Sequence, residues 1–137
     1  MGYGTNGISF RTLREANKHR LPQFKNGKGE AAHAEPDGSD WSLGDWMMAT
    51  VGELGELGNL LKKVRRGDIT MEDALPDIRR EFADVVTYLD IFAMQAGVDL
   101  GDATRDKFNE VSRRVGAKVF IGYDDDWHKF DPDGEDA

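Results

Sequence analysis

Two long stretches with the 3.6-residue rhythm of an amphipathic helix dominate this chain and fix its class. The first opens at Ser42-Leu43-Gly44-Asp45, a Ser-x-x-acid form of the capping box, and runs to Arg66, where Gly67 stops it. The second has a start signal at Thr70-Met71-Glu72-Asp73, continues to Ala96 and stops at Gly97. Pro76 lies inside it and predicts a kink or a restart, because proline cannot donate the helix hydrogen bond. Two shorter helices flank the pair. Ser9 caps one over Phe10 to Arg20, with Pro22 just beyond, and Asp99 caps the other over Leu100 to Val115, ended by Gly116. Lys118 to Tyr123 is the one candidate extended piece. The expected fold is all-α, a four-helix bundle-like domain.

The chain has 137 residues, one domain's worth, enough to bury roughly two-thirds of its unfolded surface. It has no cysteine, which excludes disulfides, thiolate metal sites and cysteine nucleophiles. With 18 Lys+Arg against 26 Asp+Glu, the net charge of −8 argues against non-specific binding to nucleic acid or anionic membrane. No apolar run approaches the ~20 residues of a membrane span, and no signal-peptide core follows Met1. The expectation is a cytoplasmic protein. Residues 1–8 are expected to be a flexible N-terminus, 9–116 the domain, with 25–40 a long polar loop inside it, and 117–137 an extended or disordered acidic tail. The length and glycines of the loop permit closure over a ligand.

The acids carry the chemistry. Met47, Val51, Leu54, Leu57, Leu61 and Val64 form one apolar stripe centred near Leu54; Ile78, Phe82, Val85, Leu89, Phe92 and Ala96 form another centred near Phe82. Glu53 and Glu56 lie roughly 100° and 160° to one side of the first stripe, and Glu81 and Asp84 lie at the same two angles from the second. A constant shift therefore superposes Leu54 on Phe82, Glu53 on Glu81 and Glu56 on Asp84. If the helices pack through their stripes, both pairs flank one groove. A single pair at this spacing is ordinarily a solvated helix face. Four converging carboxylates repel one another unless a divalent cation neutralises them, and all-oxygen ligands select Mg²⁺ or Mn²⁺.

Basic residues follow at suitable positions for a polyphosphate. Lys62, Lys63, Arg65 and Arg66 lie two to three turns beyond the first acid pair, and the last helix carries Lys107, Asn109, Arg113 and Arg114. Cations beside a carboxylate-bound metal share a substrate's negative charge, and Asn can bond phosphate or sugar oxygens. The same cations in last turns also complement helix dipoles. For a base, Trp41 and Trp46 offer stacking surfaces and Asn17 an edge-reading amide, with His19 and Arg20 nearby; core packing is the competing role for Trp46. His19, His33 and His128 fit no metal spacing and read as surface or loop residues.

Together, V-G-E-L-G-E-L-G-N-L-L-K-K-V-R-R-G-D (51–68), E-F-A-D-V-V-T-Y-L-D (81–90) and K-F-N-E-V-S-R-R-V-G (107–116) resemble the MazG-like family of all-α nucleoside triphosphate pyrophosphohydrolases over about residues 9–116. The resemblance implies Mg²⁺-dependent cleavage of a nucleoside triphosphate between the α and β phosphates, yielding monophosphate and pyrophosphate, in control or cleansing of the nucleotide pool. It implies that Glu53, Glu56, Glu81 and Asp84 hold the metal, with Glu53 or Glu56 as general base through a metal-bound water. It places Lys107 and Asn109 on the substrate's phosphates or sugar, assisted by Lys62 or Lys63; Arg113, on the same helix as Lys107, is a further phosphate candidate by position. Many members carry two adjacent glutamates where this chain has Gly52-Glu53. The resemblance also implies a homo-oligomer, a homotetramer ahead of a dimer. The apolar residues on more than one face of the second long helix, among them Phe82, Tyr88, Ile91, Phe92 and Met94, agree with a partner helix.

Three rival readings stand beside this one. They are a related phosphoribosyl-nucleotide hydrolase, a di-iron carboxylate bundle, and a non-catalytic dimerisation or binding module. The second is disfavoured because neither motif contains the His of the Glu-x-x-His pattern.

Overall fold

The structure is a computed structural model and describes residues 7–134. It contains α1 (Phe10–Arg20), α2 (Leu43–Arg66), α3 (Met71–Gln95), α4 (Leu100–Val115) and a short antiparallel ribbon of β1 (Phe120–Ile121) and β2 (Trp127–His128). The fold is all-α in character. Each helix starts where a side chain takes up a free backbone N–H: Ser9 accepts from Thr12, Thr70 from Asp73 and Asp99 from Asp102, while Ser42 and Asp45 complete a reciprocal capping box. Gly67 (φ 82°) and Gly116 (φ 71°) end α2 and α4 in the left-handed conformation that other residues resist. Pro76 does not restart the second long helix; α3 runs through it. Among the described residues, no helix is long and apolar enough to cross a membrane. The expected flexible N-terminus lies, except for residues 7 and 8, outside the described residues.

The chain divides into two compact units, one ending at Gly97 and the other starting at Val98. In the first, α2 and α3 form an antiparallel hairpin, and α1 packs on α3. The seam between α2 and α3 buries two apolar clusters. Leu57, Ala74 and Ile78 form one with Leu60, Val64 and Ile69; Trp46, Ile91 and Leu21 form the other with Phe24, Tyr88, Phe92 and Met94.

This seam is not the one the stripes predict. Counting 100° per residue, Trp46, Leu57, Leu60 and Val64 lie roughly 60–120° to one side of Leu54, and Ala74, Ile78, Tyr88 and Phe92 lie roughly 40–120° to the same side of Phe82. The two stripe centres face outward, Leu54 at 54% and Phe82 at 57% exposure. Met47, Val51 and Leu61 stay exposed with Leu54, as do Val86 and Leu89 with Phe82. In an antiparallel pair, equal rotations from the seam place both stripes on one side of the hairpin. They make one continuous apolar face there.

A buried carboxylate fastens α1. Asp90 is fully buried on α3; Arg14 Nε donates to its Oδ1 at 3.1 Å and Asn17 Nδ2 to its Oδ2 at 2.9 Å. The long loop is pinned rather than free. Trp46 Nε1 donates to the Gly38 carbonyl (3.2 Å) and Gln95 Nε2 to that of Asp37 (2.5 Å). His33 lies in this loop, as expected, but is buried: its ring stacks on Trp46 (centroids 5.3 Å apart) and meets Trp41 edge-on (4.7 Å), with Nδ1 3.5 Å from Asp40 Oδ1.

In the second unit, α4 packs on β1. The stretch expected to be extended or disordered is a hairpin over its described part, with Phe120 paired to His128 and Ile121 to Trp127. Side chains of α4 hold it. Arg113 reaches Asp131 through Nε (2.5 Å) and Nη2 (2.6 Å), and the Arg105 guanidinium lies 4.6 Å above the Tyr123 ring. Opposite charges between α4 and the tail supply the order that the acid-rich composition concealed; Arg113 holds the Asp131 carboxyl down at about 2.

Candidate functional site

Glu53 on α2 and Glu81 on α3 sit on the seam itself, between its two apolar clusters, because both occupy the angular sector of Trp46, Leu57, Ala74 and Tyr88. Each is half-buried. One carboxylate oxygen from each of Glu53, Glu81 and Asp84 lies within 4.8 Å of the others. Burial raises the Glu53 carboxyl above the usual glutamate range, and the charges of Glu56, Asp84 and Glu81 push it further. Burial likewise raises Glu81, followed by the side chain of Glu56 and the charges of Glu56 and Asp84. Glu81 Oε2 is buried and accepts no hydrogen bond among the described residues. An orphaned carboxylate oxygen beside like charges is costly in the protein alone. An octahedral Mg²⁺ holds oxygens ~2.1 Å away, hence ~3–4 Å from one another, and the three oxygens here, all within 4.8 Å, are near that spacing. The donor set therefore fits a hard divalent cation.

Of the four acids expected to converge, three form the triad. Glu56 stands beside it and lines a cavity of about 260 Å³ with Asn59, Leu60, Lys63, Asp77, Arg80 and Glu81. Lys63 thus borders the acids, whereas Lys62, one residue on, does not line this cavity. At the other end, Tyr88 is half-buried, and its hydroxyl is raised first by burial and then by the charges of Glu53 and Asp84.

Four of the expected substrate contacts have other work. Asn17 is buried against Asp90 and Thr87 and reads no base. Trp46 is 1% exposed and packs the core, which leaves no ring face for stacking. Asn109 is 1% exposed, and its amide braces Ile121: Nδ2 donates to the Ile121 carbonyl and Oδ1 accepts from the Ile121 N–H, both at 2.8 Å. Arg113 is held by Asp131 and Asp133. Burial takes Asn17, Trp46 and Asn109 out of the expected site, which corrects those three readings, while Arg113, 40% exposed, spends Nε and Nη2 on the tail. Trp41 keeps partial exposure against His33 and Trp46, and Lys107 is exposed and paired with Glu110 at 2.8 Å.

Sequence reasoning missed Asn59, Asp77, Arg80 and Tyr88. Helical spacing carried a signal for three of them: Asn59 follows Glu56 by three, Asp77 precedes Glu81 by four, and Tyr88 follows Asp84 by four. Arg80 reaches the cavity from a position adjacent to Glu81, where spacing gives no hint.

No family model matches the chain, and no solved structure matches it. The Gene 37 protein of Mycobacterium phage L5 is 36% identical over 81 residues, which span 57% of this chain and 70% of that protein.

Proposed function

The chain belongs to the family of the Gene 37 protein of Mycobacterium phage L5, a name that states no activity, and from the carboxylate seam we propose that it hydrolyses nucleoside triphosphates between the α and β phosphates. The observation that carries this reading is the cluster of Glu53, Glu81 and Asp84 in the middle of an otherwise apolar seam, with Glu56 and a cation-bearing cavity alongside. Its motifs resemble those of the MazG-like pyrophosphohydrolases in order and spacing.

Glu53, Glu81 and Asp84 hold Mg²⁺, or Mn²⁺, from two helices whose packing fixes their separation. The bound cation supplies charge neutralisation on the phosphate oxygens and a water of lowered pKa. Glu56, outside the triad, takes the proton of the attacking water. The water oxygen forms a bond to the α-phosphorus, the bond from that phosphorus to the α–β bridging oxygen breaks, and pyrophosphate leaves with that oxygen. Lys63 shares the charge of the departing phosphates. Net charge −8 is no obstacle, because the metal enters with the polyanion.

The apolar face of Met47, Val51, Leu54, Leu61, Phe82, Val86 and Leu89 supports a homo-oligomer. Seven large side chains, each about half exposed, amount to several hundred Å² on one side, which approaches the ~800 Å² per partner of a stable interface. Two copies pair through this face.

The test is pyrophosphate release from a panel of ribo- and deoxyribonucleoside triphosphates, with Mg²⁺ and with EDTA. Metal-dependent release with monophosphate as co-product supports the reading. No release from any of them by folded protein contradicts it and favours a phosphoribosyl nucleotide substrate or a binding module.

A further inference from the structure

The cavity beside the carboxylates has an ordered charge pattern. Glu56 and Glu81 line it on the side of the metal triad, and Lys63 from α2 and Arg80 from α3 bring cations to it. Leu60 gives it an apolar patch and Asn59 an amide. The Arg80 guanidinium is oriented by Asp77, one helical turn earlier, through an Nη1–Oδ1 contact of 2.5 Å. Its side chain is otherwise 73% exposed, so its remaining donors are open to a ligand. A planar guanidinium fixed at one edge presents its other N–H groups in the fork that matches phosphate oxygens. At about 260 Å³, the cavity has room for roughly eight waters at ~30 Å³ each. A hydrated diphosphate occupies such a space.

Resting on the hydrolase reading above, we infer that this cavity is the subsite of the leaving diphosphate and that Arg80 is its principal phosphate contact, with Lys63 facing it from α2. An anion enters a cavity lined by three carboxylates only where cations and the triad's metal outweigh them. Arg80 makes the substrate's distal phosphates, rather than its base, the part that this end of the site recognises. Triphosphates are then preferred over diphosphates, which lack the terminal group.

Calorimetric titration with magnesium pyrophosphate tests this on the whole chain. Arg80→Gln should weaken pyrophosphate binding about tenfold, as for a charge-assisted hydrogen bond lost at a half-open site. It should also erode the preference for triphosphate over diphosphate substrates. Arg66→Gln removes the same charge from the end of α2, at a residue that does not line the cavity, and should leave binding unchanged. Both side chains are exposed, so both variants should keep the wild-type helical circular dichroism. Equal pyrophosphate affinity in wild type and Arg80→Gln overturns the inference, as does an equal loss in Arg66→Gln or no binding by wild type. Arg80-dependent pyrophosphate binding by a protein that hydrolyses no triphosphate leaves the subsite standing and removes the hydrolase reading. Hydrolysis with pyrophosphate binding indifferent to Arg80 does the reverse.

Discussion

Glu53 of α2 and Glu81 of α3 each bring a carboxylate oxygen to within 4.8 Å of the other, across a seam whose remaining buried positions are apolar. Both carboxyls are raised by burial and by neighbouring acids. An acid whose folded-state pKa lies above its unfolded value destabilises the fold once ionised. The penalty is full above the folded pKa and vanishes as the pH falls to the unfolded one. Glu81→Gln should therefore raise the Tm of the metal-free protein near neutrality, and the gap from wild type should close as the pH approaches the ordinary glutamate range. Thermal melts of both proteins across pH 4.5–7.5 in EDTA check this; a gap that widens toward acid contradicts it.

The Asp90 clasp should be structural and independent of metal. Asp90→Ala leaves Arg14 and Asn17 without their carboxylate in a buried setting and should cost roughly 3 kcal/mol. Urea unfolding measures the loss, and wild-type stability in the variant contradicts the clasp.

Asn109 separates two accounts of the same residue. As the brace of β1, its replacement by Ala leaves the Ile121 N–H and carbonyl unpaired and should cost about 2 kcal/mol. Hydrogen exchange at Ile121 should accelerate. If Asn109→Ala keeps Ile121 protected yet abolishes substrate turnover, the substrate-contact role is right and the brace is wrong.

The outward stripes predict self-association. Leu54→Asp and Phe82→Glu each place a charge on the apolar face without touching the seam. Light scattering should show an oligomer in wild type and a monomer, about 15.3 kDa, in either variant. A wild-type monomer removes the pairing proposal.

The helices were legible because their ends are written in local chemistry: Ser42 with Asp45, Thr70 with Asp73, and Gly67 and Gly116 at left-handed termini. The acid pairs were legible from spacing alone. The packing face was misread by roughly 90°, and the acids are the reason. A hydrophobicity stripe treats Glu53 and Glu81 as solvent-facing, so it turns toward Leu54 and Phe82, although the true seam carries the acids in its middle. The roles of Asn17 and Asn109 were not legible, since their partners Asp90 and Ile121 are distant in sequence. The anchoring of the loop at Gly38 was not legible from composition. That glycine's φ of +76° and its close approach to Leu21, Trp46 and Gln95 admit no Cβ, which is the mark of a pinned turn.

The most direct measurement is Mn²⁺ binding followed by the electron paramagnetic resonance of the free ion, in wild type and Glu81→Gln. The account predicts that the wild-type chain removes at least one Mn²⁺ from solution, that Mg²⁺ displaces it, and that Glu81→Gln binds at least tenfold more weakly. Undiminished free Mn²⁺ with folded wild-type protein, or equal binding by the variant, would contradict a metal site on the seam.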